Sequence, residues 1–271
     1  MSLPLAASHP RGGSLARLEA WHGAQQRGHR ISGQEDRAGT GPRGRERLPR
    51  GLEPRPAALA PAVAGLLDDL GISAPHLAGN SLGGWVALEL AGLRPVASLA
   101  LLSPAGLWQG NMPLYDQASL RITRWLARHA TGLLSRLVNY RLGRALVLGQ
   151  THGRPFRITP GYARTAIRAM GICPGFDATL KATTRGYRSG PPIAAPVTVA
   201  FGSRDLLLLR HQSRHLGELP PGARLGSLPH CGHIPMADNP AAVTALITAA
   251  SARGLPDEES RGRLVPGTRT G

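Results

Sequence analysis

Apolar positions recur with a structural period only from Pro56 onward. In PAALAPAVAGLLDDLG (56–71), Leu59, Val63, Leu66, Leu67 and Leu70 fall three and four residues apart. That spacing predicts one face of a helix, and Gly71 supplies its stop. A short apolar piece, PHLAGN (75–80), precedes a second helical pattern, LGGWVALELAGL (82–93). ASLALLSP (97–104) predicts a buried strand, and PVTVAFGS (196–203) predicts the clearest strand, with Val197, Thr198 and Val199 β-branched. ARLGSLP (223–229) predicts a weaker one. NPAAVTALITAASARG (239–254) predicts a closing helix with Asn239 as cap, Pro240 in the first turn and Gly254 at the end. Strands alternating with helices predict an α/β fold with a mostly parallel sheet.

Two regions break this rhythm. Residues 1–55 carry ten arginines and no run of four apolar residues, and neither helical nor strand period is sustained there. They read as a disordered or aberrant N-terminal segment. The polar tail, 253–271, reads as flexible. Between the second and third strands lies a long insertion, about 108–190. Its stretch SLRITRWLARHATGLLSRLVNYRLGRALVLG (119–149) has helical spacing. Trp125, Leu126, Leu133, Leu137 and Leu142 are expected to form its apolar face. Trp108, Trp125, Leu126 and Met170 are candidates to line an apolar pocket, or else ordinary core.

Composition changes this picture in three places. Of 271 residues, 42% are hydrophobic, enough for a sizeable core, and no apolar run reaches the length of a membrane-spanning helix. The first residues lack a secretory-signal pattern, and Cys173 and Cys231 are too few for a disulfide framework or a four-thiolate zinc site, so a cytoplasmic setting is expected. The formal net charge is +16, but 31 of the 32 basic residues are arginine, Lys181 being the exception. GC-rich coding DNA accounts for that ratio, so the charge does not by itself predict a nucleic-acid partner. The insertion holds twelve arginines and Lys181 against Asp116 and Asp177, a local +11. A basic surface of this kind is either a solvated face or an attractor of anions.

The chemistry centres on Gly79-Asn80-Ser81-Leu82-Gly83-Gly84, a G-x-S-x-G pattern between an apolar strand and a helix. Glycines at 79 and 83 are expected to permit a sharp turn that presents the serine hydroxyl beside a helix N-terminus. A serine hydroxyl needs a base, and the base needs an orienting acid. Asp205 follows the strand PVTVAFGS. His233 lies in Leu228-Pro229-His230-Cys231-Gly232-His233-Ile234-Pro235, with His230 as its local competitor. Gly232 and Pro235 shape a loop around His233. The spacing of His230, Cys231 and His233 is too tight for a familiar zinc site.

With GNSLGGW, FGSRD and CGHIPM in this order, the chain resembles the α/β-hydrolase superfamily, most of all its bacterial serine hydrolases with a helical cap. The resemblance covers about 56–252 and implies a partial α/β-hydrolase fold, a mostly parallel sheet flanked by helices with the cap at about 108–190. It implies Ser81 as nucleophile, His233 as base, Asp205 as orienting acid and the Leu82 N–H as an oxyanion donor. Serine at the elbow departs from the haloalkane dehalogenases and epoxide hydrolases, which place aspartate there. The family's earlier strands, and the His-Gly loop that gives the second oxyanion donor, would fall in 1–55. There His22-Gly23 follows a helical rather than a strand-like stretch. That segment looks like a wrong reading frame or a mis-assigned start.

Three functional classes follow. The first is a serine hydrolase forming an acyl-enzyme on an ester, amide, thioester or activated C–C bond of a small, apolar acyl substrate, with no cofactor or metal. The second is a catalytically impaired remnant of such an enzyme. The third is a basic protein binding anionic lipid or nucleic acid.

Overall fold

The computed structural model describes residues 54–254. The expectations for residues 1–53 and 255–271, including the missing strands and the His22-Gly23 loop, lie outside the described residues.

Among the described residues four strands form one sheet in the order β1-β2-β3-β4: β1 His76–Asn80, β2 Ser98–Leu102, β3 Val197–Gly202 and β4 Arg224–Leu228. All three pairings are parallel, with Asn80 opposite Leu102, Leu101 opposite Val199 and Gly202 opposite Leu228. Every predicted strand is present, within two residues of the expected ends. Every residue of β2 is buried, as are all of β3 except Thr198. β1 and β4 have one strand partner each among the described residues and are more exposed. The gradient follows from covering helices: a strand buried on both faces reads as a continuous apolar run, as SLALL and VTVAF do.

Helices α1 (Pro56–Asp69) and α2 (Leu82–Leu93) frame β1 in the chain. Arg94, just past α2, ties them together. Its guanidinium donates to Ala64 O and Asp68 Oδ1 of α1 at 3.0 and 2.7 Å and to Ile72 O, just past that helix, at 2.8 Å. The main core joins Trp85 and Leu88 of α2 to Leu99, Leu101, Val197, Val199 and Phe201 of the sheet.

Between β2 and β3 run five helices: α3 (Leu114–His129), α4 (Thr131–Leu137), α5 (Arg141–Leu148), α6 (Pro160–Ile172) and α7 (Phe176–Ala182). They have their own core of Ala127, Val138, Leu148, Ile158, Ala163 and Ile167. This corrects the expected apolar face. Trp125, Leu126, Leu133 and Leu142 are exposed, Leu142 at 79%, and Leu137 is half-buried. The physical reason is that 119–149 is three helices rather than one. Each break, at Ala130 and at Val138–Tyr140, resets the helical phase, so a face counted through the breaks does not persist.

After β3 come a short α8 (Arg210–Ser213), then β4, α9 (Pro235–Asp238) and α10 (Pro240–Ala252). Asn239 caps α10 as expected: its side chain accepts from the Ala242 N–H at 3.1 Å, and Pro240 occupies the first turn. No helix among the described residues is long and apolar enough to cross a membrane.

Candidate active site

The parallel sheet sends the carboxyl ends of its strands to one edge, and the candidate residues collect there. Ser81 follows β1 directly and has φ +53°, in the left-handed region that ordinary side chains avoid. The turn is held by its backbone: Ser81 N–H donates to Leu102 O at 3.0 Å, and Ser81 O accepts from the Gly84 and Ala105 N–H groups, each at 3.0 Å. Gly79 is obligatory here, because a Cβ at that position would run into the Gly83 carbonyl. Gly83 itself faces open space, whereas a Cβ on Gly84 would crowd Pro104, so the tight positions of the turn are 79 and 84.

Asn80, the variable residue of the motif, adds a contact that the sequence reading missed. Its amide donates to Leu102 O and to His233 O, both at 2.9 Å. It therefore joins the serine turn to the neighbouring strand and to the histidine loop. The sequence signal was present as a bondable side chain inside the motif, but its partner lies 153 positions away.

Asp205 lies just beyond β3 and is 5% exposed. Its Oδ1 accepts from the Leu207 and Leu208 N–H groups at 3.0 and 2.9 Å, and its Oδ2 lies 3.0 Å from His233 Nδ1. Burial pushes the carboxyl up, but the hydrogen bond and charge of His233, the Leu208 N–H and the Ser103 hydroxyl outweigh it, and Asp205 is held below its ordinary value. An ionised carboxylate can only accept, so His233 Nδ1 carries the proton. Nε2 then presents its lone pair to Ser81 Oγ, 2.8 Å away. His230 is exposed, with φ +61°, and its backbone N–H donates to Ser203 Oγ. Of the two candidate histidines, His233 is the one brought to Ser81.

A model of the alpha/beta hydrolase family matches residues 16–246. The chain belongs to that family. The match reaches upstream of residue 56, into the segment that its composition sets apart. Over 192 residues this hydrolase-family chain is 31% identical to "Epoxide hydrolase EphH" of Mycobacterium tuberculosis, covering 68% of this chain and 88% of that one. Among solved structures it resembles a thermophilic esterase from Thermogutta terrifontis, with a TM-score of 0.55 at 20% identity, covering 74% of this chain and 73% of that one. It also resembles a putative lipase from Acinetobacter baumannii, with a TM-score of 0.53 at 19% identity and coverage of 74% and 67%. At these identities the two structures share the fold.

The insertion of this family member is tied to the acid-bearing loop. Tyr115 of α3 donates its hydroxyl to Leu206 O at 2.7 Å. Its neighbour Asp116, 1% exposed, accepts from Ser213 Oγ at 2.7 Å. Burial pushes the Asp116 carboxyl above its ordinary value, against the Ser213 hydrogen bond. The expected pocket residues do not converge. Trp108 is core and meets Trp85 edge-on at 5.8 Å, Met170 packs on the insertion's own core, and Trp125 and Leu126 are exposed. A cavity of about 590 Å³ does touch Trp108, but Arg185, His215 and Glu218 also line it, and none of Ser81, Asp205 and His233 does.

Proposed function

We propose that the protein is a serine hydrolase that cleaves an apolar acyl compound through an acyl-enzyme. The observation that carries this reading is the continuous relay from Ser81 Oγ to His233 Nε2 and from His233 Nδ1 to Asp205, at 2.8 and 3.0 Å. In the first half-reaction His233 takes the Ser81 proton as Oγ attacks the acyl carbonyl. It then passes that proton to the departing group, leaving an ester on Ser81. In the second, His233 takes a proton from water, hydroxide attacks the ester, and the acid leaves as Ser81 regains its proton. The Leu82 N–H, first in α2, is the proposed oxyanion donor, where the helix N-terminus favours negative charge. The domain is proposed to span 56–252, with 108–190 as a cap that shapes the acyl site.

The name of the Mycobacterium relative raises epoxide opening as a competing chemistry. Serine argues against it. An aspartate that opens an epoxide forms an ester, which water cleaves. Serine would form an ether, which water does not cleave, and the enzyme would stop after one event. An acyl-enzyme has no such dead end.

A fluorophosphonate probe tests the proposal, because it phosphonylates only an activated serine. Stoichiometric labelling that disappears in Ser81→Ala is the expected result. A folded wild-type protein that takes no label would overturn the reading. Salt-sensitive binding to DNA or anionic vesicles without labelling would then favour a binding role for the basic insertion.

A further inference from the structure

We infer that Asp238 is a positioning residue whose carboxylate locks the insertion to the loop carrying His233. This rests on reading His233 as the general base. Asp238 ends α9, five residues after His233, and is 4% exposed. Its Oδ2 accepts from the Gly153 and Gly232 N–H groups, each at 2.7 Å, and its Oδ1 accepts from the Arg154 N–H at 2.9 Å. A buried carboxylate requires such compensation, and charge-assisted bonds of this kind are among the stronger ones in proteins. The three donors come from two segments far apart in sequence: Gly153 and Arg154 follow α5 in the insertion, and Gly232 immediately precedes His233.

The surrounding contacts make the junction tight. Ile234 N–H, on the other side of His233, donates to Thr151 O at 3.0 Å. Arg204, next to Asp205, donates its guanidinium to Gly153 O at 3.0 Å and its backbone N–H to Cys231 O at 2.8 Å. Gly153 and Gly232 approach so closely that a Cβ on either would strike the other segment's backbone. Segment 151–154 therefore binds both flanks of His233 and the neighbour of Asp205. The loop enters this region through His230 at positive φ, and α9 has only four residues, so local helical structure cannot fix it. The carboxylate supplies that restraint, and a displacement of the insertion is transmitted to the imidazole.

Asp238→Asn keeps one acceptor oxygen but turns an NH₂ toward a backbone N–H. Three measurements on the full chain test the inference: the fluorophosphonate labelling rate, the downfield proton resonance of His233 Nδ1, and amide exchange at Gly153, Arg154 and Gly232. The expected result for a folded Asp238→Asn is labelling at least about ten-fold slower, a broadened or shifted Nδ1 resonance, and faster exchange at the three amides. Asp69→Asn, on the exposed end of α1, should match wild type. A folded Asp238→Asn with wild-type labelling and an unchanged Nδ1 resonance overturns the inference. If the variant does not fold, wild-type exchange decides: protected amides at 153, 154 and 232 support the clamp, and loop-like exchange overturns it. If the wild type takes no label, the hydrolase reading falls, and the Nδ1 resonance and exchange still decide the clamp.

Discussion

Replacing Asp205 with asparagine isolates what the buried acid contributes. In the native site Oδ1 holds two backbone N–H groups and Oδ2 faces His233 Nδ1. The amide oxygen of Asn keeps the Leu207 and Leu208 bonds, so its NH₂ turns toward His233. A donor now faces Nδ1, which responds by giving up its proton. The proton moves to Nε2, where it points at Ser81 Oγ, and the base is lost without any change in shape. In a serine protease the equivalent exchange costs about 10⁴ in turnover, roughly 5.5 kcal/mol of transition-state stabilisation. The fold should suffer far less, because the loop keeps both backbone bonds. The contact to His233 persists as a neutral N–H···N bond without its charge assistance, a cost no larger than the roughly 1.5–3 kcal/mol of a bond to a charged group. The acid also contributes a pH dependence. Its folded value is depressed, so its stabilisation is present above the ordinary aspartate range and lost as pH falls through the folded value. The assay is the second-order labelling rate by a fluorophosphonate at pH 5–9, with chemical denaturation of the same proteins carried down below the ordinary aspartate range. A folded Asp205→Asn protein labelled within about three-fold of wild type would show that Asp205 does not set the tautomer of His233.

Other outcomes follow from neighbouring residues. Asn80→Ala removes a donor from His233 O and one of the two donors from Leu102 O, which keeps the Ser81 N–H, and should lower stability by about 1–3 kcal/mol in denaturant titration, with slower labelling. Gly79→Ala places a methyl against the Gly83 carbonyl, and overpacking of about 1–3 kcal/mol should accompany near-complete loss of labelling. Asp116 has a raised carboxyl, so its ionisation opposes folding as pH rises from the ordinary aspartate value through the folded one. The Tm of Asp116→Asn relative to wild type should therefore be more favourable at pH 7 than at pH 4.5, and a pH-independent offset would refute this. Residues 1–55 show no strand pattern to carry a second oxyanion donor. If that segment supplies no such donor, the loss costs about 10²–10³ in turnover, and hydrolysis of short p-nitrophenyl esters should be weak. Robust turnover that vanishes in Ser81→Ala would place a working donor in that segment.

Local chemistry made much of this protein legible in one dimension. Parallel strands buried on both faces read as continuous apolar runs, so SLALL and VTVAF announced the sheet's centre. Asn239-Pro240 announced the start of α10 because caps are satisfied within one turn. The order of Ser81, Asp205 and His233 was readable because each sits where a strand ends, and parallel strands end on one edge. Tertiary structure alone decided the rest, for reasons of distance and phase. The apolar face of 119–149 was misread because the helix breaks there depend on packing. Asn80 and Asp238 carry ordinary side chains in sequence, and each has a partner far along the chain, His233 at 153 positions and Gly153 at 85. His233 prevails over His230 because the chain turns through a positive φ at 230 and delivers the later imidazole to Ser81. Periodicity records which side of an element is buried. Which groups meet across the fold is recorded only by the closure of long loops.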